Sequence, residues 1–226
     1  MFPGAGASAQ VIVQSGSGGI ITGDRLRQRI SVADGARAQV CGQGAVSVHR
    51  RGADAGAVEE LELVATTGGH LENLAEPRLL HDDSDLEQHT RVELGQGTVL
   101  TVESVVVIGE RCNYDSTLEV RVAGRLLARE RTRFTGADLP AGTRAVGLLV
   151  LAGSGPSAPV VHEAEWVQWE RAAAGGAAYG AVSRLPHGAG LAVRVAARDG
   201  AALRDAMDRA IGVVHRADGA PEISPS

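Results

Sequence analysis

From Arg27 to Phe134 the chain repeats one pattern: apolar and polar residues alternate, a glycine-centred turn follows, and the alternation resumes. Four segments share it: RQRISVADGARAQVCGQG, VEELELVATTGGHLENL, QHTRVELGQGTVLTVESVVV and STLEVRVAGRLLARERTRF. Their turns fall near Gly35, Gly68, Gly97 and Gly124, about thirty residues apart. A period of two puts Ile30 and Val32, then Leu61 and Leu63, then Val92 and Leu94, then Leu118, Val120 and Val122, on one face of each predicted strand. No segment long enough for a ten-residue helix separates these strands, which argues against a doubly wound nucleotide-binding fold. The repeat fits a layered β-solenoid-like body or a large sandwich, each unit burying its apolar face on the next; ordinary hairpins would give the same local pattern.

Beyond Phe134 the pattern changes. GADLPAGTRA is a turn-rich break, VGLLVLAG a buried strand, and GSGPSAP, from Gly153 to Pro159, a second surface turn. HEAEWVQWERAA reads as a strand or a short helix, because Trp166 and Trp169 are three apart while Ala164, Trp166 and Gln168 alternate. GLAVRVAARDG is a strand ending at Asp199 and Gly200. AALRDAMDRAIGVV places Ala202, Leu203, Ala206, Met207, Ala210 and Ile211 on one stripe of a helix, suited to covering a sheet. The expected organisation is one domain over 1–226: repeated β units over 15–135, a β-plus-helix region over 136–215, and a flexible tail over 216–226.

Composition narrows the function classes. The chain carries 22 basic and 27 acidic residues, a formal charge of −5, so nucleic acid is not an expected partner. Aromatic residues to stack bases are nearly missing. All the basic residues are arginine, and with no lysine there is no lysine-based Schiff-base or phosphate-loop chemistry. Cys41 and Cys112 are too few for a disulfide framework and fit a reducing compartment. No basic leader and no 18-residue apolar run is present, so the sequence points to the cytoplasm and to no membrane partner.

Gly18 and Gly23, in SGSGGIITGD, have the separation of a phosphate loop, but Asp24 stands where that loop needs lysine and would repel phosphate. Gly18, Gly19 and Gly23 therefore read as residues that permit a tight chain path. HDDSDLEQH, from His81 to His89, sets two histidines among four carboxylates. It reads as a weak site for a borderline divalent ion or as a solvated acidic loop; its spacing matches neither a metalloprotease helix nor a calcium loop. Cys41 reads as a small buried hydrophobe, and Cys112, after Glu110 and Arg111, as lying in a more polar setting. His49 and His215 read as solvated ends of elements, and His187 as a turn residue. Arg25, Arg27 and Arg29, and again Arg129, Arg131 and Arg133, alternate along strands and form two basic rows.

Five pieces occur in an order that resembles the UreD family of urease accessory proteins, also called UreH. They are SGSGGIITGD at 15–24, VCGQGAVSVHR at 40–50, LENLAEPRLL at 71–80, IGERCNYD at 108–115 and AVSRLPHGAGLAVRVAARDGAALRDAM at 181–207. The chain departs from the family pattern at Val46 and Ser47, at Glu76 and Pro77, at Gly109 and Glu110, and at Tyr114 and Asp115, and it is expected to lack the leading strands. The resemblance implies a right-handed helical β-structure with a small helical contribution. It also implies a non-enzymatic scaffold that binds apo-urease and a UreF-type protein, which recruits the UreG GTPase so that nickel reaches the urease active site. No tightly bound cofactor is implied, only transient nickel. On the same resemblance Asp24 is the first candidate for lining a nickel route, followed by Asp115 and Glu103, with His81 and His89 last. Two other readings remain: a generic β-rich interaction module without metal handling, and a hydrolase built from dispersed His and Asp residues.

Overall fold

The computed structural model describes residues 8–16, 18–21, 23–33, 35–50, 56–154, 163–175 and 177–217. The expected tail beyond Ala217 and most of the Gly153–Pro159 turn lie outside them.

The chain winds back and forth between two facing sheets. In order, β1 (Ser8–Val13) lies in the first sheet and β2 (Arg25–Val32) in the second. Next, β3 (Arg37–Gly42) and β4 (Val46–Val48) return to the first, and β5 (Ala57–Ala65) to the second. Then β6 (His70–Leu74) and β7 (Arg78–Leu80) enter the first, β8 (Asp85–Leu94) the second, β9 (Thr98–Val107) the first and β10 (Asn113–Val122) the second. Each return pairs in parallel with the previous pass. In the second sheet Arg25 faces Val58, Ala57 faces Leu86 and Asp85 faces Asn113, so the passes are 33, 29 and 28 residues apart. In the first sheet Ser8 faces Arg37, Arg37 faces His70 and His70 faces Thr98, giving 29, 33 and 28. Parallel strands related by one coil length in both sheets make this body a β-solenoid rather than a set of hairpins.

Three of the glycine turns are stacked corners of the coil. Gly35 and Gly68 take φ values of 72° and 66°, which only glycine adopts without strain. The Gly35 N–H donates to the Thr67 carbonyl at 3.1 Å, and the Gly68 N–H to the Gln96 carbonyl at 2.9 Å, so each corner bonds to the next. The fourth turn is different. Ala123 and Gly124 both have positive φ, as a tight two-residue hairpin requires, and close β10 antiparallel onto β11 (Arg125–Thr135). That reversal ends the coil. β12 (Ala145–Gly153) then returns to the first sheet antiparallel to β9, and α1 (Glu163–Ala174), β13 (Ala178–Arg184), β14 (Gly190–Ala197) and α2 (Gly200–Ala217) complete the chain.

Two apolar layers result. Between the sheets lie Leu63, Leu71, Val92, Leu94, Val99, Leu118 and Val120, the alternating residues of the repeats. On the other face of the first sheet, Leu149, Leu151 and Val193 meet Leu203, Ala206 and Met207 of α2, with Trp166 and Trp169 of α1. From Glu163 on, the open reading of HEAEWVQWERAA is settled as a helix, His162 lying outside the described residues: Trp166, Trp169 and Ala173 are its buried residues, and the Trp169 ring lies where a side chain on Gly180 would have to go. Asp199 caps α2, its Oδ1 accepting the Ala202 N–H at 2.8 Å. Among the described residues no helix is long and apolar enough to cross a membrane.

Several local expectations are corrected. The segment from His81 to His89 is a loop only as far as Ser84; from Asp85 it is strand β8, with Leu86 and Gln88 buried. His215 is no solvated end but packs against Glu72. Cys112 is buried beside Tyr114 and Leu86 despite its polar neighbours in sequence.

Candidate functional site

Because β5, β8 and β10 alternate, the positions that face the space between the sheets are fixed: Glu59, Leu61 and Leu63; Leu86, Gln88, Thr90 and Val92; Tyr114, Ser116 and Leu118. Toward Leu63, Val92 and Leu118 this lumen is closed by aliphatic side chains. Between that layer and a second apolar cluster, of Ala57, Leu80, Leu86, Val105 and Tyr114, the inward positions turn polar, and there a cavity of about 680 Å³ runs from Gly18 and Gly19, past Leu26 and Gln28, to Gln88 and Glu103.

Two polar bridges cross from sheet to sheet at the inner end. Glu103, on β9 of the first sheet, accepts the hydroxyl of Thr90 on β8 at 2.5 Å and that of Ser116 on β10 at 2.7 Å. Its side chain sits within an apolar strand, the residue being only 5% exposed. Burial pushes this carboxyl above its ordinary value, and the two hydroxyls oppose that only in part. The second bridge joins Arg78 of β7 to Glu59 of β5, with Nε to Oε2 at 2.8 Å and Nη2 to Oε1 at 2.9 Å. Burial alone would lower the Arg78 pKa; the paired carboxylate more than offsets it and keeps the guanidinium charged. Alongside, the Tyr114 hydroxyl donates to Gln88 Oε1 at 2.9 Å, and Asn73 Nδ2 donates to Thr101 Oγ1 at 3.1 Å. Burial holds the Tyr114 phenol well above its usual range. The polar part of the wall thus sets the carboxyl and amide oxygens of Glu59, Asn73, Gln88 and Glu103 around the Arg78 guanidinium; such oxygens are donor types that hold hard or borderline cations weakly enough to release them.

The sequence-predicted residues fall in three places. Glu103 is in the lumen. Asp24 closes the turn before β2: its Oδ2 accepts the Ile21 N–H at 2.9 Å and its own N–H donates to the Ile21 carbonyl at 3.1 Å. In the same turn Gly23 has φ 81°, and a Cβ on Gly19 would meet the Ser47 carbonyl at 2.5 Å; Gly18 borders the cavity. His81 stacks on His49, with ring centroids 4.9 Å apart, at the corner next to Gly19. Asp115 and His89 lie on the outer face of the second sheet. There Asp115 holds Arg131 through two bonds of 3.0 and 2.7 Å, which keep its carboxyl below the usual range, and His89 Nε2 stands 2.9 Å from Glu87. Among the described residues no three His, Cys, Asp or Glu side chains gather to hold a metal ion.

The two arginine rows share this outer face, one on each edge strand, β2 and β11. Acidic rows fill the strands between, and Arg27 pairs with Glu60, Arg29 with Glu62 and Arg129 with Glu119. The face is a neutralised ladder of charges rather than a basic patch.

Glu59, Arg78, Gln88, Asn73 and Tyr114 were missed by sequence reasoning. Their signal was present: Glu59 and Gln88 occupy inward positions of otherwise apolar alternations, Ala57, Leu61 and Leu63 in one strand, Leu86 and Val92 in the other.

Comparison with known proteins agrees with the residue pattern. The profile of the family described as UreD urease accessory protein matches residues 1–226. Urease accessory protein UreD 2 of Bradyrhizobium sp. (strain BTAi1) is 32% identical over 221 residues, covering 92% of this chain and 76% of that protein. Its counterpart in Bradyrhizobium sp. (strain ORS 278) is 34% identical over the same length and shares. Urease accessory protein UreD of Mycolicibacterium smegmatis is 34% identical over 218 residues, covering 89% of this chain and 73% of that protein. The chain belongs to the UreD family of urease accessory proteins, and its role is an accessory one in urease maturation, not that of an enzyme.

Proposed function

We propose that this chain is a cytoplasmic scaffold that binds apo-urease and a UreF-type partner, the latter bringing the UreG GTPase, and that nickel travels to urease through the lumen between its two sheets. The observation that carries the reading is the polar stretch of that lumen, where a cavity of about 680 Å³ reaches a buried carboxyl at Glu103 between two apolar clusters. A buried polar cluster of this size lowers stability relative to an apolar filling, so a use in transfer accounts for it better than a use in packing. Nickel is cargo here. Oxygen donors without a full cysteine or histidine set bind it loosely, which suits passage rather than storage; the one thiol among the lining residues, Cys41, has its Sγ 3.8 Å from the Val11 carbonyl. Of the candidate residues, Glu103 lines the route and Asp24 fixes the turn at its glycine-lined mouth; the reading makes no use of Asp115, His81 or His89 as ligands.

The test is co-expression of the tagged chain with urease subunits and the UreF-type protein, followed by mass measurement of what stays bound. A stable assembly containing apo-urease is expected. Its absence with folded, soluble components would remove the scaffold reading and favour a generic interaction module.

A further inference from the structure

We propose that the Arg78–Glu59 pair is an internal counter-charge gate: a resident guanidinium that occupies the cation-binding potential of the lumen and must be displaced before a divalent ion can enter. The inference rests on the lumen-transfer reading and deepens it.

The charged residues that border the cavity are Glu59, Glu76, Arg78 and Glu103, with Arg27 and Glu60 of the outer face at its exposed rim. Glu60 is paired with Arg27 at the exposed mouth, at 2.6 Å, and Glu76 lies 3.6 Å from Arg204. Glu103 has no salt bridge among the described residues and is held by two hydroxyls. That leaves Glu59 as the deep carboxylate that faces a guanidinium inside the cavity, and Arg78 covers both of its oxygens. A third bond, from Arg78 Nη1 to the Glu76 carbonyl at 3.1 Å, fastens the guanidinium in place. The Arg78 and Glu59 side chains are only 18% and 12% exposed, and they come from opposite sheets, so the pair spans the lumen instead of lying along its wall. In a poorly solvated space a fixed positive charge on the nearest carboxylate strongly disfavours a second cation. With Arg78 in place, an arriving dication finds both oxygens of Glu59 already taken; with Arg78 turned aside, Glu59 offers those oxygens to the cavity that Glu103 also lines.

The probe is Ni²⁺ alone, titrated into the purified full chain by calorimetry and checked by equilibrium dialysis. Arg78→Gln is expected to bind Ni²⁺ at least about tenfold more tightly than the natural chain, and the gain to vanish in the Glu59→Gln, Arg78→Gln double variant. Arg78→Lys, which keeps the charge, is expected to bind like the natural chain. Unchanged binding in Arg78→Gln, or a gain that persists without Glu59, would overturn the gate. Should Arg78→Gln fail to fold with Glu59 left unpaired, Glu59→Gln alone decides: it leaves an uncompensated guanidinium in the lumen and is expected to weaken Ni²⁺ binding about tenfold, whereas binding equal to that of the natural chain would contradict the proposal. These titrations need no urease, so a failed co-purification with an intact Ni²⁺ response would sink the scaffold reading and leave the gate standing.

Discussion

His215, in the last turn of α2, places Nε2 3.0 Å from Oε1 of Glu72 in the middle of β6, 143 residues earlier in the chain. The same carboxylate takes His70 Nε2 at 3.2 Å on that oxygen and Gln39 Nε2 at 2.9 Å on the other. This cluster pins the end of α2 to the face of the first sheet that points away from the lumen. Glu72→Gln or His215→Ala should lower unfolding free energy by about 1–2 kcal/mol at neutral pH, measured by denaturant titration.

The same contact sets a pH dependence. Burial by itself would raise the Glu72 pKa, but the hydrogen bonds from His215, His70 and Gln39 outweigh it and hold the carboxyl far below its ordinary 4.5. A depressed folded-state value means the stabilisation is complete above pH 4.5 and drains away as pH falls below it. The stability gap between the natural chain and Glu72→Gln should therefore narrow in acid. A gap constant from pH 7 to pH 3 would count against the cluster.

Glu103 has the opposite sign. Burial raises its pKa above the unfolded value, so its contribution is complete below about pH 4.5 and is lost as pH rises through the folded-state value. Glu103→Gln keeps a side chain able to bond Thr90 and Ser116 but cannot ionise. It should gain stability relative to the natural chain as pH is raised, and thermal unfolding across pH 5–9 reads the difference.

Two corner glycines separate backbone conformation from crowding. Gly35 has φ 72° with nothing within 4 Å of a Cβ, so Gly35→Ala should cost about 1–2 kcal/mol, the left-handed penalty alone. A Cβ on Gly97 would stand 2.6 Å from the carbonyl oxygens of both Gly69 and Thr66, backbone atoms that cannot turn aside. Gly97→Ala should cost clearly more, and unfolding midpoints of the two variants side by side check the order.

Leu63 is fully buried in the layer between the sheets. Leu63→Ala should lose about 2–5 kcal/mol through lost burial and an unfilled cavity. Asp115→Asn, on the solvated outer face, should leave the unfolding midpoint within error, since exposed ion pairs contribute little.

What could be read from the sequence follows from the range of the forces. Strand alternation is local, so Ile30, Leu61, Val92 and Leu118 announced their faces, while the near-constant interval between turns fitted a coil, a sandwich or a set of hairpins alike. Whether a glycine turn is a coil corner or a hairpin depends on which strand the chain meets next, and so Gly124 looked like Gly68 although one ends the solenoid and the other continues it. The site was legible only in part. Glu103 was a candidate only through the family resemblance, and its partners Thr90 and Ser116, like the pairing of Glu59 with Arg78, are made across the lumen between separate strands. Asp115 and His89 have candidate chemistry in sequence, and only the pleat tells that they point outward.

Passage of nickel through the lumen at Glu103 is read out by the nickel content of urease purified from cells that supply the natural chain, Glu103→Gln or Asp115→Asn together with the other maturation proteins. All three chains are expected to stay bound to apo-urease, Asp115→Asn to load nickel normally, and Glu103→Gln to lower the nickel per urease about tenfold. Full nickel loading with Glu103→Gln in the assembly would contradict that passage.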